Sequence, residues 1–349
     1  MFPYWLLFGI FAAGAILGPR DRGLVGGGAG PLLALAAIFM ALMIGLRYEV
    51  GADWSTYQWL FTVAGRASLD RVLGMGDPGY QLLNWVVRQV GGAIWQVNLI
   101  CALIFCWGLL RLAQAQPQPW LAMVVAVPYL VTVVSMGYTR QGVAIGILMA
   151  GLAAIQRGSS TLRFAAYVAA AALFHKTAIA VLPLVIFAGR RNFILNVLLG
   201  AALCFLFYNF FLERALGAYV RNYVDAGYSS QGAAIRIALN FIPGVLFLIK
   251  QGSFDFDDRE RKVYRFFSYA ALAFPVALAF SPSSTAIDRL ALYVLPLQVV
   301  VLSGVPRAYR LPGFGTFLVV LYSAAILFVW LTFAKHAEYW LPYQVYPFE

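Results

Sequence analysis

The fold of this chain is decided by residues 120–156, which read WLAMVVAVPYLVTVVSMGYTRQGVAIGILMAGLAAIQ. Two apolar runs, 120–136 and 139–156, are each close to the length that a helix needs to cross the hydrocarbon core of a bilayer. Arg140 is the single charged residue in the stretch. Because neither run has a polar face for water, the stretch predicts two membrane-spanning helices joined by a very short turn.

The rest of the chain repeats this pattern. Of the 349 residues, 62% are hydrophobic and 11% are charged, whereas soluble domains carry about 25% charged residues. We therefore expect an all-α fold, a polytopic transmembrane helix bundle in which residues 1–349 form a single integral membrane domain. About twelve spans are predicted, some of them short or re-entrant, at residues 2–18, 31–47, 93–112, 120–136, 139–156, 162–175, 177–189, 193–212, 234–250, 263–281, 289–305 and 313–334. The pair 162–175 and 177–189 forms either two short crossings or a re-entrant pair.

The distribution of charge predicts the orientation. If the N-terminus is outside, the inner loops hold fourteen basic and five acidic residues, and the outer segments hold eleven and nine. Basic residues concentrate in the cytoplasmic loops of membrane proteins, so both termini are expected outside, with the first apolar run as a retained helix. Residues 48–92 and 213–233 then form extracytoplasmic loops, and the first of them is expected to carry short helices.

The composition argues against several classes of function. The net charge is +11, but no basic tract suited to nucleic acid is present. With only His175 and His336, a multi-histidine metal site is excluded. No Walker loop or dinucleotide fingerprint occurs, so no cofactor and no metal is expected, although a divalent ion held by carboxylates stays open. The cysteines lie inside apolar runs and are expected to be small buried hydrophobes: Cys101, Cys106 and Cys204.

Polar residues near the outer ends of the predicted spans are the candidates for function. Ionisable groups in a helix bundle are costly, so each needs a partner or a role. The candidates are Arg47, Asp53, Tyr57, Asp77, Tyr80, Arg140, Gln141, His175, Lys176, Arg236, Asp288 and Arg289. Structural alternatives exist for several: Arg236 and Lys176 as snorkelling residues, Asp288 as a helix cap and Asp77 as part of a turn.

Taken together, these side chains favour a site for a phosphorylated substrate. The planar guanidinium of arginine binds phosphate through two charge-assisted hydrogen bonds. A carboxylate or a histidine nearby is suited to taking a proton from a sugar hydroxyl. The set therefore suggests transfer of a sugar from a lipid-linked diphosphate.

Four segments resemble the EpsG family, a branch of the Wzy-like polysaccharide polymerases of bacterial envelopes. In family order they are GLRYEVGADWSTY (45–57), DPGYQLLNWVV (77–87), YTRQGVAIGI (138–147) and LFHKTAIAVLPL (173–184). The family usually has Glu where this chain has Asp77. The resemblance covers roughly residues 1–190, so Arg236, Asp288 and Arg289 are inferred from this chain alone.

The resemblance implies an enzyme that uses a polyprenyl-diphosphate-linked sugar donor. Such a polymerase moves a growing exopolysaccharide, capsule or O-antigen glycan from undecaprenyl diphosphate onto the next lipid-linked repeat unit. It works as a multi-pass protein of the bacterial inner membrane, with its active site facing the periplasm or exterior. The expected partners are the undecaprenyl-diphosphate-linked oligosaccharide, the lipid bilayer, a flippase and a chain-length regulator, with no nucleic acid and no metal.

Roles can be assigned to the candidates on this basis. We expect His175, Asp53 and Arg140 to be catalytic, with either His175 or Asp53 as the base. Arg47, Arg140 and Arg289 are expected on the departing pyrophosphate, and Gln141 and Tyr80 on sugar hydroxyls. The residues expected to bind substrate are Arg47, Tyr57, Asp77, Tyr80, Gln141, Lys176, Arg236, Asp288 and Arg289.

Three other functions fit parts of the pattern. An O-antigen ligase-like glycosyltransferase would use the same donor but a different acceptor. A flippase or transporter of lipid-linked oligosaccharide would carry polar residues along a path through both leaflets, whereas here they gather on one side. A scaffold protein would explain the hydrophobicity but not the placement of the arginines and the histidine.

Overall fold

The computed structural model describes residues 1–18, 29–183, 232–281 and 283–348, together with the helical residues 194, 198, 202 and 205. This part of the chain is almost entirely helical, in agreement with the all-α prediction. The second half of the predicted span 177–189, most of the span 193–212 and nearly all of the loop 213–233 lie outside the described residues.

The first half of the chain, up to Val181, contains nine α-helices and one short strand within the described ranges. Their bounds are α1 (Phe2–Leu17), α2 (Ala29–Gly45), β1 (Arg47–Tyr48), α3 (Trp54–Arg66), α4 (Leu69–Leu73), α5 (Pro78–Gln89), α6 (Ile94–Ala113), α7 (Pro119–Ala126), α8 (Thr139–Gln156) and α9 (Thr161–Phe174). A π-helix over Val127–Ser135 continues α7, and a 3-10 helix over Lys176–Val181 follows α9. Short helices therefore occupy the segment 48–92, as predicted.

The second half begins with α10 at Ala233. The further elements are α10 (Ala233–Lys250), α11 (Asp258–Phe280), α12 (Ser284–Ala291), α13 (Pro296–Ala308), α14 (Pro312–Phe333) and β2 (Gln344–Val345). Short 3-10 helices follow α10 and α12 and precede β2, over Gln251–Ser253, Leu292–Val294 and Ala337–Trp340.

The helices confirm a membrane protein, but they do not confirm the count of about twelve spans. Among the described residues, four helical segments are long and apolar enough to cross: Ile94–Ala113, Ala233–Ser253, Asp258–Phe280 and Pro312–Phe333. The segments Ser284–Val294 and Pro296–Ala308 pass together as a fifth, but they meet at an angle of 47°. Because Pro296 lacks an amide hydrogen, the straight span predicted at 289–305 is interrupted there.

Shorter apolar helices complete the bundle. They are Phe2–Leu17, Gly30–Gly45, Pro119–Ser135 and Thr161–Phe174. The α7 segment changes to π-helix at Val127, directly before Pro128, and the Thr132 hydroxyl donates to the Val127 carbonyl five residues earlier. Since Pro128 cannot donate a backbone hydrogen bond, a wider turn at this point is the expected consequence.

Small residues allow the central helices to pack closely. Gly108 of α6 lies against the backbone of Gly146 in α8, and Gly146 lies against the backbone of Phe105. A methyl group at either glycine would overlap main-chain atoms of the partner helix. Helices in membranes commonly associate through such small residues. Cys101 and Cys106 are buried in α6, as predicted, and Cys204 lies outside the described residues.

A short antiparallel pair joins residues distant in sequence, which the all-α prediction did not include. Strand β1 pairs with β2 so that Arg47 lies opposite Val345 and Tyr48 opposite Gln344. The same C-terminal segment accepts hydrogen bonds from the Tyr4 hydroxyl at Trp340 and from the Gly51 amide at Tyr339. The start of α1, the end of α2 and the residues after α14 therefore lie at one end of the bundle. We name it the outer end, after the orientation that the charge distribution predicts.

Candidate active site

Asp77 is the centre of a polar cluster at the outer end. Its side chain is only 2% exposed. One carboxylate oxygen accepts from Arg140 Nη1 at 2.7 Å, and the other accepts from the backbone amide of Lys176 at 3.1 Å. His175 Nδ1 lies 3.5 Å from the oxygen that Arg140 contacts. Three segments far apart in sequence thus meet on one carboxylate, which we call the Asp77 cluster.

The local sequence explains how Asp77 reaches these partners. Asp77 precedes Pro78 at the start of α5 and adopts a left-handed conformation, with φ 59°. Aspartate tolerates this region better than most residues. At a helix start an aspartate normally accepts from amides of the first turn, but Asp77 makes no such side-chain bond. Its carboxylate is turned instead towards α8 and the end of α9.

The charges around Asp77 keep it ionised. Burial alone would raise the pKa of the Asp77 carboxyl. The neighbouring His175 and Arg140 and the amide of Lys176 outweigh burial, so the pKa lies below its usual value. Asp77 is therefore a carboxylate at neutral pH, and it is suited to orient cationic and hydrogen-bonding groups rather than to transfer a proton.

Arg140 combines a fixed position with free binding capacity. It lies in the first turn of α8, where its guanidinium bonds Asp77 and lies 5.9 Å from the ring centroid of Tyr57. The side chain is 30% exposed, although its Nε is buried and has no hydrogen-bond partner among the residues that the structure describes. Arg140 can therefore meet an anionic ligand while it stays paired with Asp77.

His175 and Lys176 come to the cluster because α9 ends at Phe174. His175 has an extended backbone between α9 and the following 3-10 helix. The Thr177 hydroxyl lies 2.9 Å from the Tyr293 hydroxyl, which joins this break to the 3-10 helix after α12. The imidazole is 21% exposed, and its Nδ1 is buried on the side of Asp77 without a hydrogen-bond partner within the described ranges.

A second group forms around Arg289. Its guanidinium carbon lies 3.7 Å from the ring centroid of Tyr138, and its Nη2 lies 3.9 Å from a carboxylate oxygen of Asp53. Gln141 donates to the Arg289 carbonyl at 2.7 Å. Tyr57 interacts electrostatically with Arg140, Asp53 and Arg289. The Arg289 group therefore lies beside the Asp77 cluster, because Gln141 directly follows Arg140 in α8.

Arg236 and Asp288 form a third group. Two guanidinium nitrogens of Arg236 bond the two carboxylate oxygens of Asp288 at 2.9 and 2.8 Å. Asn240 donates to the Ala291 carbonyl and accepts from Gln298, so α10 is held against α12 and α13. Asp288 immediately precedes Arg289 in the chain, so this ion pair lies at the edge of the second group.

Arg47 and Tyr80 are more deeply buried than the other candidates. Arg47 is 1% exposed, and its three nitrogens donate to the carbonyls of Ile44 and Val50 and to the Thr139 hydroxyl. The ring of Tyr80 is fully buried, with its centroid 5.7 Å from that of Tyr57. Both residues lie behind the cluster, where Arg47 ties the outer segment to the residue before Arg140.

The structure adds residues that the sequence did not single out. Tyr138 lies beneath Arg289, and Tyr293 contacts Thr177. Tyr138 could have been recognised as the aromatic neighbour of Thr139 and Arg140, but Tyr293 lies in an apolar stretch with no distinguishing signal. Within the described ranges, no three His, Cys, Asp or Glu side chains lie close enough together to hold a metal ion.

Comparison with known proteins connects this site to a family. No curated protein and no solved structure gives a significant match. The sequence model of the EpsG family matches residues 32–345, a range that contains every residue of the three groups. Because the match extends over nearly the whole chain, this protein belongs to the EpsG family of Wzy-type exopolysaccharide polymerases.

Proposed function

We propose that the protein is a polysaccharide polymerase that uses undecaprenyl-diphosphate-linked donors at the outer face of the bacterial inner membrane. The observation that carries the proposal is the Asp77 cluster, in which Arg140 and His175 share one buried carboxylate. Family membership supports polymerisation over ligation. The gathering of polar groups at one end of the bundle favours one-sided chemistry over transport through both leaflets.

The Asp77 cluster and the Arg289 group have separate roles in the proposed reaction. The bond between the anomeric carbon of the growing glycan and the diphosphate oxygen breaks, and the same carbon bonds a hydroxyl oxygen of the next repeat unit. Negative charge grows on the departing diphosphate as this happens. Arg140 and Arg289 supply positive charge there, as preorganised donors do in other sites where charge develops.

His175 is the better supported of the two candidate bases. Its Nδ1 faces the Asp77 carboxylate at 3.5 Å, which leaves the other nitrogen to accept the proton of the acceptor hydroxyl. Asp53 lies 3.9 Å from Arg289, where an acceptor-orienting role suits a carboxylate that faces a cation. Lys176 contacts the sugars in this space. Tyr57, Tyr80 and Gln141 are buried and support the residues that line it, and Arg47 positions Arg140 through Thr139.

The direct test is synthesis by purified protein from preformed lipid-linked repeat units, with polymer length read on a gel. Wild type should give long chains, and deletion of the protein from its host should leave single repeat units. Arg140→Ala should slow synthesis about 10²–10³-fold, the effect of removing one such donor, and His175→Ala should reduce it strongly. The matched control is Arg163→Ala, which removes an exposed arginine at the opposite end of α9.

Either of two results would remove this assignment. Full-length polymer from both Arg140→Ala and His175→Ala at normal membrane abundance would exclude the cluster from the chemistry. Accumulation of polymer on its carrier in the deletion strain would indicate a ligase instead.

A further inference from the structure

A groove lies between two membrane-spanning helices close to the third polar group. It has a volume of about 470 Å³, and it is lined by the first half of α10 and the last half of α14. Volumes of this size are typical of ligand sites, about 300–1,000 Å³. Its walls are mainly apolar and include the exposed side chains of Ile235, Val329 and Phe333.

One end of the groove differs from the rest. Arg236 and Lys335 belong to its lining, as does Tyr129 at its inner wall. The Tyr129 hydroxyl and the Trp330 indole nitrogen are buried and have no hydrogen-bond partner within the described ranges. The groove lining therefore includes two cations, Arg236 and Lys335, and two residues with buried donors that are unpartnered in the described part of the chain, while most of the other lining residues are apolar.

The polar end adjoins the candidate active site. Arg236 bonds both oxygens of Asp288, and Asp288 is followed by Arg289, which contacts Tyr138 and Asp53. A phosphate bound at Arg236 would thus lie beside the group to which we assign stabilisation of the departing diphosphate.

We propose that this groove binds the polyprenyl chain of a lipid-linked diphosphate, with the diphosphate at Arg236 and Lys335 and the isoprenoid chain between α10 and α14. The inference rests on the proposed function, which it deepens by naming the path of the lipid. Its support is charge complementarity. A diphosphate is strongly anionic and matches the cations and donors, whereas the walls between the two helices offer only apolar contact.

The test measures binding of undecaprenyl diphosphate to the purified full-length protein in detergent. Ala325 is an exposed residue of α14 in the groove lining, so Ala325→Trp fills the groove without disturbing the core. It should weaken binding at least tenfold, and Val329→Trp on the same wall should do the same. The matched control, Ala273→Trp, places the same ring on an exposed position of α11 and should bind as wild type does.

Two further arms identify the ligand. Lys335→Glu should weaken binding of undecaprenyl diphosphate but leave that of undecaprenol unchanged, because only the first carries the phosphates. Phosphatidylglycerol should compete poorly. The inference is overturned if Ala325→Trp and Val329→Trp both bind like wild type, or if phosphatidylglycerol competes as well as undecaprenyl diphosphate.

The groove and the polymerase can fail separately. If deletion of the protein leaves polymer length unchanged while the two groove variants still bind the lipid more weakly, the proposed function is wrong and the lipid site in the groove is supported. If the groove variants bind the lipid as wild type does, the proposed lipid site is wrong, whatever polymer the wild type makes.

Discussion

Two arginines at the outer end, Arg47 and Arg140, resemble each other in sequence and differ in structure. Each lies at the edge of a predicted span beside aromatic residues. Arg47 is 1% exposed and its nitrogens all donate within the protein. Arg140 is 30% exposed in its side chain and bonds one carboxylate oxygen of Asp77. The comparison teaches that the partners of an arginine, rather than its place at a span end, distinguish an enclosed side chain from one that is open to a ligand.

The largest expected effect is on stability at Arg47. Arg47→Ala leaves a cavity and removes the donors to the Ile44 and Val50 carbonyls and the Thr139 hydroxyl. We expect a loss of about 3–5 kcal/mol in the free energy of unfolding, measured as a lower Tm in detergent and lower abundance in membranes. A variant as stable as wild type but inactive would place Arg47 on the substrate side after all.

The next effect is on activity at Arg140. Arg140→Lys keeps a positive charge near Asp77 but loses the planar fork that binds two phosphate oxygens. Polymerisation should slow about 10–100-fold, equivalent to about 1.4–2.7 kcal/mol, while Tm stays unchanged. Arg163→Lys is the control. A fall in Tm that matches the fall in activity would show that the two arginines do not differ as we argue.

A smaller effect concerns pH and Asp77. Because the folded protein holds the pKa of Asp77 below the value of about 4 for an unfolded chain, its contribution to stability is complete above about pH 5. It declines as the pH falls below about 4 and is lost once the pH falls through the folded pKa. The Tm difference between wild type and Asp77→Asn should shrink over that range. Asp70→Asn, which changes an exposed aspartate of α4, should give no such trend.

The smallest effect is expected at Tyr293. Tyr293→Phe removes the hydroxyl that lies 2.9 Å from Thr177 Oγ1 and leaves the ring in place. The loss of one hydrogen bond costs about 0.5–1.5 kcal/mol. If that contact positions the break at His175, activity should fall a few-fold with little change in Tm. Thr177→Val, which removes the other partner, should give the same result, and the double variant should add nothing further.

The sequence predicted the helical character, and the structure brings most of the predicted site residues together, because both depend on local information. Apolar blocks of helical length report a bilayer environment. The stretches at 77–87, 138–147 and 173–184 meet at Asp77 because each begins or breaks a helix at the outer end. The roles of the individual residues in the reaction stay predictions.

Other features could not be read from the chain. The left-handed backbone of Asp77 and its three partners depend on contacts between helices, for which residue spacing gives no signal. A two-residue strand is too short to show an alternation of polar and apolar residues, so the sequence did not predict β1 and β2. The 47° bend did have a signal in the sequence, since Pro296 lies at the break. A span prediction based on hydrophobicity alone does not detect such a bend, because a proline does not interrupt an apolar run. Hydrophobicity alone also overestimates the number of spans, because several apolar helices are shorter than a full crossing.

The pairing of Arg47 with Val345 has a consequence for biosynthesis. The two residues are separated by nearly the whole chain, and Trp340 and Tyr343 add contacts to the ends of α1 and α2. A ribosome synthesises Val345 only after every α-helix described here. The segment that carries Asp53 and Asp77 therefore lacks these contacts until residues 340–345 have been synthesised. Contacts between such distant residues are among the slowest to form.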